Sequence, residues 1–118
     1  MKKYCFALDL KEDDELIAKY ENWHRTENAW PEITKSITDA GIVSMEIYRT
    51  GNRLFMIMEV EETFDFHRKA QLDLSNPKVQ EWEALMNKFQ QKLPWAKPNE
   101  KWVLMDRIYK LENEVSIS

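Results

Sequence analysis

The sequence predicts an α+β fold of the ferredoxin-like kind, a split βαβ arrangement with an antiparallel four-stranded sheet and helices on one face. Two observations carry this. Strand-like and helix-like patterns follow one another as strand, helix, strand, strand, helix, strand, with the first helical region split in two. The strands also carry apolar residues on both faces, although helices can cover only one. The uncovered face predicts a second copy of the same sheet, so the expected assembly is a homodimer, a dimeric α+β barrel, with a cavity between sheet and partner.

The elements follow in order. Lys3 to Leu10 alternates, with Tyr4, Phe6, Leu8 and Leu10 on one face and Lys3, Cys5, Ala7 and Asp9 on the other, which is a strand. Lys11 to Asp14 is a polar turn in which either aspartate can cap a helix. Asp14 to His24 is that helix, with Leu16, Ile17 and Tyr20 at helical spacing. Trp30 to Ala40 is the second helical piece, opened by Pro31, whose missing N–H costs nothing in a first turn, and closed by Gly41. Ile42 to Thr50 and Arg53 to Val60 make a hairpin around Gly51-Asn52. Glu61 to Ser75 reads as a helix, broken near Asn76-Pro77. A further helix runs to about Leu93, with Val79, Trp82, Leu85, Met86 and Phe89 on one stripe. After a loop containing Pro94, Trp95 and Pro98, Lys101 to Leu111 alternates as the last strand. One domain is expected over residues 1–112, with a loose tail over 113–118.

Composition narrows the function. With 43% hydrophobic and 32% charged residues the chain is an ordinary globular one. A net charge of −4 argues against a nucleic-acid partner. No stretch has the length of a membrane span, and the basic start is not followed by a signal-like apolar run, so a cytoplasmic protein is expected. Cys5 is the only cysteine, which leaves neither a disulfide framework nor a cysteine-based metal site. His24 and His67 have no metal-ligand spacing, so no metal is expected. Two glycines are too few for a phosphate-cradling loop.

The chemistry-bearing stretch is Tyr20 to Ile33. Tyr20 and His24 are four apart and share one helix face, and the polar residues after His24 are poor continuations of that helix. A titratable imidazole thus sits at a helix end, beside a loop and facing the start of another helix. An imidazole exchanges protons near neutral pH, whereas a lone histidine is otherwise a surface or capping residue. His67, mid-helix beside Arg68 and Lys69, reads as a surface residue. Core packing explains each of the many aromatics, and periodicity alone makes Trp82 a core residue. Trp95 and Trp102 read as packing the C-terminal loop or the dimer contact. Asp9, Glu46 and Glu59 lie inside strands, where a carboxylate either faces a cavity or sits in solvent at a sheet edge.

Taken together, these residues resemble the L-rhamnose mutarotase family over nearly the whole chain. The resemblance rests on the Tyr20-Glu21-Asn22-Trp23-His24 element, Trp30-Pro31-Glu32 opening the next helix, the strand end Ile47-Tyr48, the strand from Asn52-Arg53-Leu54-Phe55 through Met58-Glu59-Val60, and Trp82 in the late helix. It implies a cofactor-independent isomerase that interconverts the α and β anomers of a 6-deoxy monosaccharide such as L-rhamnose or L-fucose. By that resemblance His24 is the general acid at the ring oxygen, Tyr20 binds a sugar hydroxyl, Trp82 offers a flat apolar face to the sugar, and Trp30 walls the pocket. Three departures bear on the sugar more than on the reaction. The gap from His24 to Trp30 is longer than in the family, Met45 stands where the family has a tyrosine, and Glu83 replaces the second tryptophan of a pair. The alternative is a dimeric α+β barrel of the ligand-binding or monooxygenase kind, with Met45, Met56 and Met58 lining an apolar cavity. A third reading is a sensing or structural dimer with a vestigial pocket.

Overall fold

A computed structural model describes residues 1–111. The expected tail over 113–118 lies outside them. The first strand, β1, spans Lys2–Leu10, and helix α1 spans Asp14–Trp23. Asp13 caps α1 by accepting from the Glu15 and Leu16 N–H groups at 3.0 and 3.1 Å. A 3₁₀ turn, Thr26–Asn28, leads to α2, Pro31–Asp39. Strands β2, Ile42–Thr50, and β3, Arg53–Val60, form the hairpin, with Gly51 at φ 57° supplying the positive φ of its two-residue loop. Asn52 ties the hairpin to the end of β1, donating from Nδ2 to the Leu10 carbonyl at 2.9 Å. Helices α3, Phe66–Leu74, and α4, Pro77–Asn87, follow.

The late chain departs from the sequence expectation in three places. Glu61 to Phe64 is not helical, because Asp65 is the cap of α3 and accepts from the His67 N–H at 2.9 Å. Helix α4 stops at Asn87 instead of near Leu93, because Phe89 turns into the core and its carbonyl accepts from the Lys11 N–H at 2.9 Å. The last strand is not one run from Lys101 to Leu111 but two short pieces on one edge of β1. The first, β4 (Gln90–Gln91), pairs with Leu10 and Asp9, and the second, β5 (Val103–Leu104), pairs with Ala7 and Phe6. Pro94 and Pro98 lie between the pieces and cannot donate to a ladder. Beyond the Met105 N–H, which donates to Cys5, continuing the β5 register would set Arg107 opposite Lys3, and like charges across a ladder repel. The chain leaves the sheet there, with Ile108 96% exposed.

The antiparallel sheet has the order β2-β3-β1-β4, with β5 also on β1, which is the ferredoxin-like order. Register decides what each face carries. Phe6 lies opposite Met56, Leu8 opposite Leu54, and Met56 opposite Ile47, so these side chains share the inner face under the helices. Two buried clusters form there. Leu10, Leu54, Tyr20, Met86 and Phe89 pack at one end of the sheet, and Ile42, Met58 and Val60 at the other. The outer face pairs Ala7 with Phe55 and Cys5 with Ile57, all at least partly buried. Asp9 is also on this face. It takes neither of the two positions expected for a strand carboxylate, because it is 4% exposed and both its oxygens accept from Arg53, at 2.7 and 3.2 Å. The Arg53 guanidinium lies 5.3 Å from the Trp95 ring.

Candidate active site

Helix α1 ends at His24, and that ending builds the site. The His24 N–H still bonds to the Glu21 carbonyl at 3.1 Å, but Arg25 is extended and the chain turns away. The side chain folds back over the last turn, so that Nδ1 lies 2.7 Å from the Tyr20 carbonyl. A carbonyl only accepts, so Nδ1 carries the proton and Nε2 presents its lone pair in the neutral ring. The imidazole also lies over the Tyr20 ring, with centroids 4.4 Å apart, and edge-on to Trp82 at 5.6 Å. The residue is nonetheless exposed overall, with one side of the ring against these aromatics and the other open to solvent. Burial against these rings lowers the His24 pKa below the ordinary 6.5, and the bond to the Tyr20 carbonyl offsets part of the shift. The neutral ring is therefore the resting form at neutral pH.

A cavity of about 480 Å³ opens between the inner sheet face and the helices. It belongs to one chain's sheet and its own helices. The strands contribute Phe6, Met45, Ile47, Met56 and Met58, and the helices contribute Tyr20, His24, Trp82 and Met86. Unbranched methionines floor much of it, and their shape leaves room that β-branched residues would fill.

Polar groups are few and grouped. Tyr20 is 3% exposed, and burial raises its pKa, with Gln90 pulling the other way. Its hydroxyl lies 3.5 Å from Gln90 Nε2. Gln90 Oε1 is buried without a hydrogen-bond partner among the described residues. Glu83 and Lys101 line the same cavity; burial lowers the Lys101 pKa, and Glu83 partly restores it. Lys69 and Asp73 also reach the cavity from α3, but they satisfy one another at 2.5 Å.

Three of the four residues singled out in the sequence, His24, Tyr20 and Trp82, line one cavity. Trp30 lies one layer out, with its ring 5.1 Å from that of Trp82 and 6.4 Å from that of Trp23. Trp102 lines the cavity, where the sequence reading gave it to the C-terminal loop or the dimer contact. Met45 and Glu83, which depart from the family pattern, both line it too. No group of three or more potential metal ligands occurs among the described residues.

A sequence profile of the L-rhamnose mutarotases matches residues 3–111. The chain belongs to the L-rhamnose mutarotase family. Its members are isomerases acting on carbohydrates, and this chain is a sugar mutarotase by that membership. An L-fucose mutarotase from Xanthomonas campestris pv. campestris is 47% identical over 117 residues, covering 99% of this chain and 94% of that protein. The fold is that of the solved L-rhamnose mutarotase from Formosa agariphila, with a TM-score of 0.68 and 19% identity over 95% of this chain and all of that one. Tetracenomycin F2 cyclase from Streptomyces glaucescens has the same fold at a TM-score of 0.60 and 16% identity, covering 94% of this chain and 97% of that one.

Sequence reasoning missed Gln90 and Lys101 as members of this cavity. Gln90 was hidden in a stretch read as helix, and Lys101 at the start of one read as strand. Neither carries a local signal, because each reaches the cavity only through the pairing of the late chain with β1.

Proposed function

We propose that this mutarotase interconverts the α and β anomers of a 6-deoxy sugar, L-fucose or L-rhamnose, without a cofactor, with His24 as its proton-transfer group. The observation that carries this is the pinned imidazole: Nδ1 held by the Tyr20 carbonyl, with Tyr20 and Trp82 against the ring at the wall of a cavity with ample room for a monosaccharide. Ring opening breaks the bond between the anomeric carbon and the ring oxygen. One proton leaves the anomeric hydroxyl and one arrives at the ring oxygen. The resemblance assigns the second task to His24. The lowered pKa favours the first, because a neutral Nε2 accepts the proton of the anomeric hydroxyl as the aldehyde forms. At reclosure the imidazolium returns that proton to the carbonyl oxygen, so His24 is the acid of the reverse step. The Lys101 ammonium is then the donor to the ring oxygen and takes that proton back from the C5 hydroxyl at reclosure, and Glu83 favours its charged form against the effect of burial. Trp82 gives the C–H face of the sugar a flat apolar surface, and Trp30 braces Trp82 from behind. The relative from Xanthomonas, named for L-fucose, supports that sugar first.

The test is anomer exchange measured by saturation-transfer NMR on L-fucose and L-rhamnose at neutral pH. Exchange well above the uncatalysed rate with either sugar is expected. No acceleration with either, together with binding of an aromatic compound in the methionine-floored cavity, would replace this reading by the ligand-binding barrel.

We infer also that two copies pair through their outer sheet faces, in the cytoplasm. Phe55, Ile57 and Cys5 give that face its apolar surface, Tyr48 is 54% exposed on it, and the segment after Leu104 carries the exposed Ile108 and Tyr109 beyond the sheet. No helix among the described residues is long and apolar enough to cross a membrane. A monomeric mass by analytical ultracentrifugation at micromolar concentration would overturn the pairing.

A further inference from the structure

Buried polar atoms in folded proteins nearly always have a partner, and leaving one unmatched costs free energy that something must offset. Among the described residues one buried side-chain atom has none, Gln90 Oε1, and it belongs to a residue lining the mutarotase cavity. Its surroundings fix its aim. Gln90 begins β4 and pairs with Leu10, whose side chain is on the inner face, so the amide points inward beneath the helices. Its Nε2 approaches the Tyr20 hydroxyl at 3.5 Å. Turning the amide over would swap the atom facing Tyr20 and leave the NH₂ group unmatched instead, so either orientation presents one unused polar atom to the cavity. When Nε2 donates to Tyr20, the tyrosine keeps its own proton free to donate. The two side chains then form one edge that accepts a hydrogen bond at Oε1 and gives one at the phenol.

We propose that Gln90 is a substrate-binding residue that reads the sugar hydroxyl at C2, the carbon next to the anomeric centre. This rests on the mutarotase reading of the site. The position follows from adjacency. The Tyr20 ring lies against the His24 ring, centroids 4.4 Å apart, and the Tyr20 hydroxyl against Gln90. A sugar whose anomeric oxygen meets His24 Nε2 sets its neighbouring oxygen about one hydrogen-bond length further along, which is the oxygen the Tyr20–Gln90 edge can engage. L-Fucose and L-rhamnose have opposite configurations at C2 as well as at C4. A fixed amide at C2 is therefore a selector between the two sugars named for this family and its relatives.

The experiment is a two-by-two comparison. Wild type and Gln90→Met, a near-isosteric change that removes the amide, are each assayed on the better sugar and on its 2-deoxy analogue. The methionine is expected to lower kcat/KM on the parent sugar by about 10- to 100-fold, mostly through KM. It is expected to have almost no effect on the 2-deoxy sugar, whose missing hydroxyl has already cost the same interaction. The ratio of kcat/KM between L-fucose and L-rhamnose should also move towards one. An equal loss on parent and 2-deoxy sugar, or no loss on either, overturns the assignment while wild-type exchange still upholds the mutarotase. Wild-type exchange on neither parent sugar overturns the mutarotase reading and this assignment with it. Should Gln90→Met not fold, the wild type alone decides, because equal kcat/KM on the parent and 2-deoxy sugars overturns the proposal.

Discussion

Asp9 and Gln90 lie at one corner of the sheet, where the end of β1 meets β4, and they point to opposite faces. Both bury polar atoms, and the two are resolved differently. The Asp9 carboxylate, 4% exposed, has each oxygen taken by Arg53, whose guanidinium in turn lies against Trp95. That arrangement is closed, with every strong acceptor matched inside the chain, as structural polar groups require. Across the strand, among the described residues, Gln90 Oε1 has no partner, Gln90 Nε2 approaches the Tyr20 hydroxyl only at 3.5 Å, and His24 has Nδ1 fixed with no partner at Nε2. That arrangement is open. The contrast is what the proposed ligand site on the inner face predicts: matched polar groups where the chain is only architecture, unmatched ones where a ligand would complete them.

The largest expected effect tests the open face. His24→Ala should lower anomer exchange by about 10²- to 10⁴-fold, the usual range for losing an acid–base group. The pH profile sharpens the same point. Because burial lowers the His24 pKa, the folded chain keeps the ring neutral at pH values where an unfolded chain protonates it. The catalytic base should therefore persist below pH 6.5 and then be lost as the pH falls through the lowered value, with kcat/KM dropping about tenfold per pH unit. The linked stability has the same sign: the unfolded chain binds the proton first, so folding loses stability as the pH falls below 6.5. An acid limb that persists in His24→Ala would assign it to another group.

Next in size is Lys101→Met, with an expected loss of about 100-fold in kcat, since water can replace a lost proton donor only poorly. KM should change little, because the ring oxygen becomes a strong acceptor only as the ring opens. A loss confined to KM would make Lys101 a binding residue and leave water as the acid.

These residues differ in how far the sequence revealed them. Strands β1 to β3 were legible because their alternation is long and the Gly51-Asn52 turn fixes their register. Tyr20 and His24 were legible as a pair because a helix makes neighbours of residues four apart. Their contact with Trp82 was not, because it depends on how α1 and α4 pack on the sheet. The late chain misled for a physical reason. Phe89 continues the apolar stripe of α4 in sequence, yet it reaches the core after the helix has ended. Gln90 then enters the sheet over only two residues, too few for any alternation to register. Asp9 showed its strand and not its partner, since Arg53 is 44 positions away and meets it only through the register of β1 with β3.

The smallest effect on catalysis is expected at the closed corner, and it tests the contrast most directly. Asp9→Asn keeps the side chain's shape and removes the charge that Arg53 matches. The folded state then keeps one acceptor oxygen for Arg53 and sets an amide NH₂ against the second guanidinium N–H, two donors where a charged pair stood. The melting temperature should fall by several degrees. Anomer exchange per folded molecule should not change, because the inner face keeps Leu8 and Leu10 where they were and the His24 cavity is built on those residues' side of β1. Calorimetry and saturation-transfer NMR on the same sample separate the two. A fall in exchange matching the loss of the pair would mean that the outer face reaches the chemistry through the strand, and the division between a structural and a functional side of β1 would fail.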